Sequence, residues 1–173
     1  MQVLRFLNTK CVKLELETLP TVPAEPELET AAGRERRERS DKERVITELG
    51  HLLEGSGAVV NPSKLIRDLI NRERKATTAI LPGVAIPHVR TLQVRSFVIG
   101  FARAQGEGIP FSSLDGRPTR LFIPLVSPPY DDRTYLQVYR QLALLIANEE
   151  LVEQLLVART VQDVFNILRQ VLT

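Results

Sequence analysis

Thr78-Ala-Ile-Leu-Pro-Gly83-Val-Ala-Ile-Pro-His88 puts a histidine at the end of an apolar run that proline and glycine interrupt. Pro82-Gly83 punctuates the run as a loop leading into a short strand at Val84. Pro87 has a restricted φ and no backbone donor, so it stiffens the placement of the residue after it. A strand end holds an imidazole at one place on the surface, and imidazole serves as acid, base or nucleophile near neutral pH. Taken alone a histidine at a strand end is structural more often than catalytic, so on this local pattern His88 is one candidate functional residue with a structural histidine as the alternative. The other histidine, His51, sits between Gly50 and Leu52 in a helical stretch with no nearby partner in sequence, and reads as a surface or core-edge residue.

Upstream of this run, Asn61-Pro62 has the form of a helix N-cap followed by proline at the first helical position. Leu65, Ile66, Leu69 and Ile70 give that helix one apolar face, and it runs out near Arg72-Glu73. Before it, Ser40-Asp-Lys-Glu43 has the spacing of a capping box. Val45, Ile46, Leu49, Leu52 and Leu53 follow at helical spacing, and Gly55 and Gly57 end that helix. Val12 to Glu17 alternates apolar and charged residues, as a half-buried strand does. Residues 18–39 carry three prolines, an acidic patch around Glu25 to Glu29 and a basic run from Arg34 to Arg39. They read as a flexible insertion or linker, whose Arg-rich part could extend the next helix.

Downstream, Arg95 to Ala102 and Leu121 to Val126 are strand candidates, separated by the tight-turn pair Asp115-Gly116. Pro128-Pro129 closes the second strand. Thr134 to Ala147 reads as a long helix with Leu136, Tyr139, Leu142, Ala143 and Ile146 on one face. Glu149 to Ala158 makes a short helix, and Thr160 caps a last one carrying Val164, Phe165, Leu168 and Val171. Strands and helices mixed in this order predict one α/β sandwich. Its units are an N-terminal strand region over 1–17, the insertion over 18–39 and the main part over 40–173.

Composition excludes more than it selects. A chain of 173 residues with 43% hydrophobic and 25% charged residues has the balance of a soluble domain with a real core. The net charge of +2 does not argue for a nucleic-acid or acidic-membrane partner, and no basic stripe interleaved with aromatics appears. Cys11 is alone, so no internal disulfide forms; with no membrane-length apolar run and a poor secretion signal at Met1 to Leu7, the expected location is the cytoplasm. No cysteine/histidine cluster points to a metal, and no cofactor is expected. A hydrolase using His88 with Asp115 lacks any nucleophile-elbow motif, and Asp115 reads as a turn residue.

Taken together, Arg72-Glu73, Thr78, and Gly83-Val-Ala85-Ile-Pro87-His88 resemble the active-site signature of the type-2 enzyme IIA proteins of the bacterial phosphotransferase system. Gly108-Ile-Pro-Phe111 followed by Leu114-Asp115-Gly116 resembles a further segment of that family. The later strand and helices come in the family's order. The resemblance covers about residues 41 to 173 and the strand near Cys11. It implies a single-domain sandwich with a central mixed β-sheet flanked by helices, of the phosphotransferase/anion transport protein-like type. It implies that His88 accepts a phosphoryl group and that Arg72 stabilises it. Thr78 would hydrogen-bond the phosphate or its loop. Arg90 is a weaker candidate for the site, for which a plain surface arginine is the better reading.

The same resemblance implies a phosphorylated histidine carrier protein as donor. It implies either a cysteine on a IIB component as acceptor or a regulatory protein target, with no sugar contact of its own. Three departures stand out. Tyr135 occupies the position where many members carry a second histidine, and a phenol donates a hydrogen bond without carrying positive charge. Ala79 and Leu81 stand where glycines are frequent, and residues 18–39 look inserted. Tyr135 and the absence of a fused IIB or IIC segment lean towards the regulatory variant. Tyr135 and the loop residues Ala79 and Leu81 also keep open an alternative, a IIA-like protein-binding module that is not phosphorylated, which the intact Arg72, Thr78 and His88 oppose.

Overall fold

The computed structural model describes residues 2–172; Met1 and Thr173, the outer bounds of the first and last predicted units, lie outside them. The sheet is mixed. Strand β1 (Leu7–Lys13) runs parallel to β4 (Val98–Arg103). Strands β5 (Leu121–Phe122) and β6 (Leu125–Ser127) run antiparallel to β4. Outside them, β2 (Val84–Ala85) pairs with β5 and β3 (His88–Arg90) with β6, both parallel. The sheet thus forms four ribbons, with residues 84–90 at one edge and β1 at the other.

Two expected strands are each split. The run Val84 to His88 breaks at Ile86-Pro87, and Leu121 to Val126 breaks at Ile123-Pro124. Proline donates no ladder hydrogen bond, so each ribbon kinks there. The neighbouring bonds carry the pairing across, with Leu125 N donating to Pro87 O (2.9 Å) and Gly100 N to Pro124 O (2.9 Å). As a result His88 opens a second short strand and does not end the first. The first strand also lies earlier than its alternation predicted, at Leu7–Lys13 and not over 12–17.

Side chains alternate across the sheet. Ile99, Phe101, Leu121 and Leu125 face one core, which is closed by α3 (Asp132–Ile146), α4 (Glu149–Val157) and α5 (Val161–Leu168). Val98, Ala102, Phe122 and Val126 face the other, under α1 (Ala31–Leu53) and α2 (Pro62–Lys75). This is the α/β sandwich with a mixed sheet. Phe101, Phe111 and Phe122 are fully buried, each contributing about 1.5–3 kcal/mol through removal from water. Cys11 is buried on the α1/α2 side, and burial pushes its thiol up to about 11. Among the described residues no helix is long and apolar enough to cross a membrane.

The caps at Asn61 and Thr160 act as their sequences predict. Asn61 accepts from Lys64 N (3.0 Å), and Thr160 forms a full capping box with Asp163. The one proposed at Ser40 does not. Helix α1 starts at Ala31, capped by Thr30, which accepts from Gly33 N (3.0 Å). Residues 31–39 are rich in strong helix formers, and the pairs Arg34–Glu38 and Arg39–Glu35 (both 3.0 Å) sit at i,i+4 spacing. Asp41 and Lys42 therefore lie within the helix and are buried.

Residues 18–30, expected to be flexible, are laid along α1 by specific bonds. Glu48 accepts from Thr18 N (2.8 Å) and Thr18 Oγ1 (2.7 Å), and Asp41 accepts from Thr21 N (2.8 Å) and Thr21 Oγ1 (2.6 Å). Arg37 pairs with Glu29 (2.7 Å). Helix α3 begins two residues before Thr134, capped by Asp131. Its buried side is Val138, Leu142, Leu145 and Ile146, which leaves Leu136 exposed, contrary to its predicted place on the apolar face.

Candidate functional site

His88 is placed by the kink that splits the edge ribbon. Its Nδ1 lies 2.7 Å from the Ile86 carbonyl, two residues back across Pro87. A carbonyl oxygen only accepts, so Nδ1 carries the proton and donates it. The lone pair is thereby left on Nε2, which faces Arg72 Nη2 at 3.4 Å. Burial pulls the imidazole pKa below its usual value, and the Arg72 charge adds to this. The Ile86 hydrogen bond and the more distant Glu73 charge act the other way but do not reverse it. His88 is therefore a neutral imidazole with a directed, unprotonated Nε2 at neutral pH.

Arg72 is positioned by the end of α2. Its Nη1 donates to the carbonyl of Ala76, the helix C-cap residue, at 3.0 Å. One arm of the guanidinium is thus committed to the backbone while the other points at Nε2. Thr78 is buried and turned away from this opening. Its backbone N–H and its hydroxyl both donate to Glu73, at 2.8 and 2.7 Å. Thr78 O in turn accepts from Ile86 N at 3.2 Å. Lys42 Nζ closes the network on Glu73 at 3.1 Å. Thr78 thus holds the loop, and the line Lys42–Glu73–Thr78–Ile86 ends at the carbonyl that fixes the His88 tautomer. Sequence reasoning quoted Glu73 beside Arg72 without a role for it; its burial is invisible in a charged tripeptide, Arg-Glu-Arg.

Helix α3 supplies the opposite wall. The Tyr139 ring meets His88 edge-on at 5.3 Å, and Tyr135 lies 6.5 Å away, stacked on Tyr139 at 6.1 Å. Tyr139 went unrecognised as a wall residue, although its i,i+4 spacing from Tyr135 is a readable signal. Burial raises the Tyr135 phenol above its usual range, and so does Tyr139 beside it; Arg72 and Arg90 pull it back only in part. Tyr135 is thus a neutral hydrogen-bond donor. Arg90 is also part of this wall: its Cζ sits 5.1 Å over the Tyr135 ring, while Nη2 donates to Pro129 O (2.6 Å) and pairs with Asp132.

The remaining candidates lie in other roles. His51 is exposed and paired with Glu54 (2.9 Å). Asp115 accepts from Arg117 N (3.0 Å) within its own turn. No group of three or more His, Cys, Asp or Glu able to hold a metal occurs among the described residues. A groove of about 660 Å³ lies between α1 and α2, but His88 does not line it and its Arg39, Lys42 and Arg74 are each paired with a carboxylate. The imidazole itself is only partly covered.

Residues 35–171 match the family model described as "Phosphoenolpyruvate-dependent sugar phosphotransferase system, EIIA 2". The chain belongs to this EIIA type 2 family. It is 32% identical over 130 residues to the fructose-specific EIIA component of Haloferax volcanii, covering 75% of this chain and 84% of that one. It is also 32% identical over 133 residues to the fructose-specific EIIABC component of Bacillus subtilis, where it covers 77% of this chain but spans only 21% of the relative's length. In fold it matches the crystal structure of the nitrogen regulatory protein IIA-Ntr from Neisseria meningitidis, with a TM-score of 0.77, 24% identity, and 95% and 97% of the two chains covered. The EIIA chain therefore has relatives named as fructose-specific components and a fold neighbour named as a nitrogen regulatory protein.

Proposed function

We propose that this EIIA chain accepts a phosphoryl group on His88 Nε2 from a phosphorylated histidine carrier protein. The carrying observation is the pair of contacts on one ring, Nδ1 to Ile86 O (2.7 Å) and Nε2 to Arg72 Nη2 (3.4 Å). The first supports a fixed tautomer for the nucleophile, and the second supports Arg72 as the group that receives the phosphoryl oxygens. In the transfer, the Nε2 lone pair attacks phosphorus and a new N–P bond forms. The donor's N–P bond breaks, and the donor nitrogen leaves with the electron pair. The proton on Nδ1 stays, and the Ile86 carbonyl stabilises the positive charge that the phosphorylated ring acquires. Such transfer depends on positioning and on offsetting charge over the oxygens, which is the part Arg72 takes.

The onward step is the reverse attack, by a cysteine thiolate of a IIB component or by water when the chain serves as a regulatory module. The fructose-specific relatives, one of which is named as a joined EIIABC, support transfer to IIB. The test is incubation with the phosphorylated carrier and mass analysis under mildly alkaline conditions. A gain of one phosphoryl group that is acid-labile and absent from His88→Ala is expected. No gain in the unaltered protein, or an equal gain in His88→Ala, overturns the proposal and leaves a binding module that acts without phosphate. Addition of a IIB component then separates uptake from regulation: a phosphoryl group that moves to its cysteine supports uptake.

A further inference from the structure

We infer that Arg90 is a second phosphoryl-binding residue, held in reserve on Asp132 and Pro129 until His88 is phosphorylated; this rests on His88 being the acceptor. Arg90 stands two residues from His88 on β3, so both side chains project from the same face of the strand, roughly 6–7 Å apart at their α-carbons. Its guanidinium lies over Tyr135, the ring beside His88. Arg72 and Arg90 both lower the Tyr135 phenol, so both cations lie near that ring. Arg72 by itself offers an incomplete clamp, since its Nη1 is committed to Ala76 O. A phosphoryl group presents three strong acceptor oxygens, and in a half-buried site each needs a donor.

Arg90's present partners are weak competitors. Asp132 is 78% exposed on its side chain, and an exposed ion pair contributes only about 0–1 kcal/mol. A dianionic phosphoryl group beside the same guanidinium attracts it more strongly than one solvated carboxylate. When Arg90 turns to the phosphoryl oxygens it releases the Pro129 carbonyl, in the 128–131 loop, and Asp132, the first residue of α3. That loop carries Tyr130, which is 75% exposed. Phosphorylation at His88 would thereby be legible on the surface as a loosened loop.

The test phosphorylates the unaltered protein, Arg90→Gln, Arg90→Lys and Asp132→Asn, with both the phosphorylated carrier and phosphoramidate, a small chemical donor. Two quantities are read: the equilibrium fraction phosphorylated and the ³¹P titration midpoint of the phosphohistidine. A cation beside the phosphoryl group favours its dianion, so its loss raises the midpoint. Arg90→Gln is expected to raise the midpoint by at least half a unit and to lower the equilibrium constant about five- to tenfold. Arg90→Lys restores most of the midpoint, and Asp132→Asn, which frees Arg90, raises the phosphorylated fraction. A phosphohistidine at His88 whose midpoint and equilibrium are the same in Arg90→Gln overturns this inference alone. Failure of the unaltered protein to take a phosphoryl group from either donor overturns both this inference and the acceptor role.

Discussion

Replacing Glu73 with alanine breaks the buried network at its hub. The Glu73 carboxylate receives three donors: Lys42 Nζ (3.1 Å), Thr78 N (2.8 Å) and Thr78 Oγ1 (2.7 Å). Its side chain is 3% exposed and that of Lys42 is 11% exposed, so solvent does little to compensate either one. Removing one member of a buried ion pair costs about 3–5 kcal/mol, mostly because the partner's charge is left alone. Against a total stability of roughly 5–15 kcal/mol for a domain, that is a large share.

The cost should fall when both charges go. Lys42→Met combined with Glu73→Leu leaves no orphan charge, so the pair is expected to cost clearly less than the sum of Lys42→Met and Glu73→Leu taken singly. Urea unfolding followed by circular dichroism gives each value by linear extrapolation. The chemistry should suffer too, because Thr78 O holds Ile86 N and Ile86 O holds His88 Nδ1. A misplacement of ~1 Å at a reacting atom costs up to about 10²-fold in rate, read as phosphoryl uptake at a temperature where the variant is folded. A Glu73→Ala protein within about 1 kcal/mol of the original, or additive single and double variants, refutes the network as described.

Arg72→Lys keeps the charge but cannot hold Ala76 O and face Nε2 at once; the lost charged hydrogen bond, ~1.5–3 kcal/mol, predicts a drop of roughly ten- to a hundredfold in the phosphorylation equilibrium, read by intact mass. Because burial and Arg72 hold the His88 pKa below its usual 6.5, the midpoint of the fall in uptake rate with acidification should lie below 6.5; a midpoint at or above 6.5 in a rate profile contradicts this. The same depression means the unfolded chain binds this proton first, so His88's contribution to stability is complete above 6.5 and is lost as pH falls towards the folded value. Gly108 has φ +106°, and a Cβ there would lie 2.6 Å from Thr119 O; Gly108→Ala should destabilise by roughly 1–3 kcal/mol or more in urea unfolding.

Much of this fold could be read from local chemistry. Asn61-Pro62 and Thr160 mark helix starts because a cap is made by residues three apart, and such contacts survive in any tertiary setting. Ser40-Asp-Lys-Glu43 has the same spacing and is no cap, because the Arg/Glu-rich stretch before it propagates helix and Thr30 offers an earlier start. The apolar run to His88 was readable as a strand, but its kink depends on pairing with the ribbon at 121–127, which breaks at its own proline. At the site, His88 and Arg72 were visible as a motif. The roles of Glu73, Tyr139 and Arg90 were not, since they depend on which neighbours turn inward: Lys42 and Thr78 for the first, the His88 ring for the second, and Tyr135 for the third.

Cys11 has a practical consequence. Its thiol is enclosed beneath α1 and stays protonated well above neutral pH, so it reacts poorly with maleimides and other alkylating labels. A cysteine introduced at an exposed position would then be the sole thiol that labels readily. At Tyr130 such a fluorophore or spin label would sit on the loop tied down by Arg90, and could report its mobility in real time without removing the native cysteine.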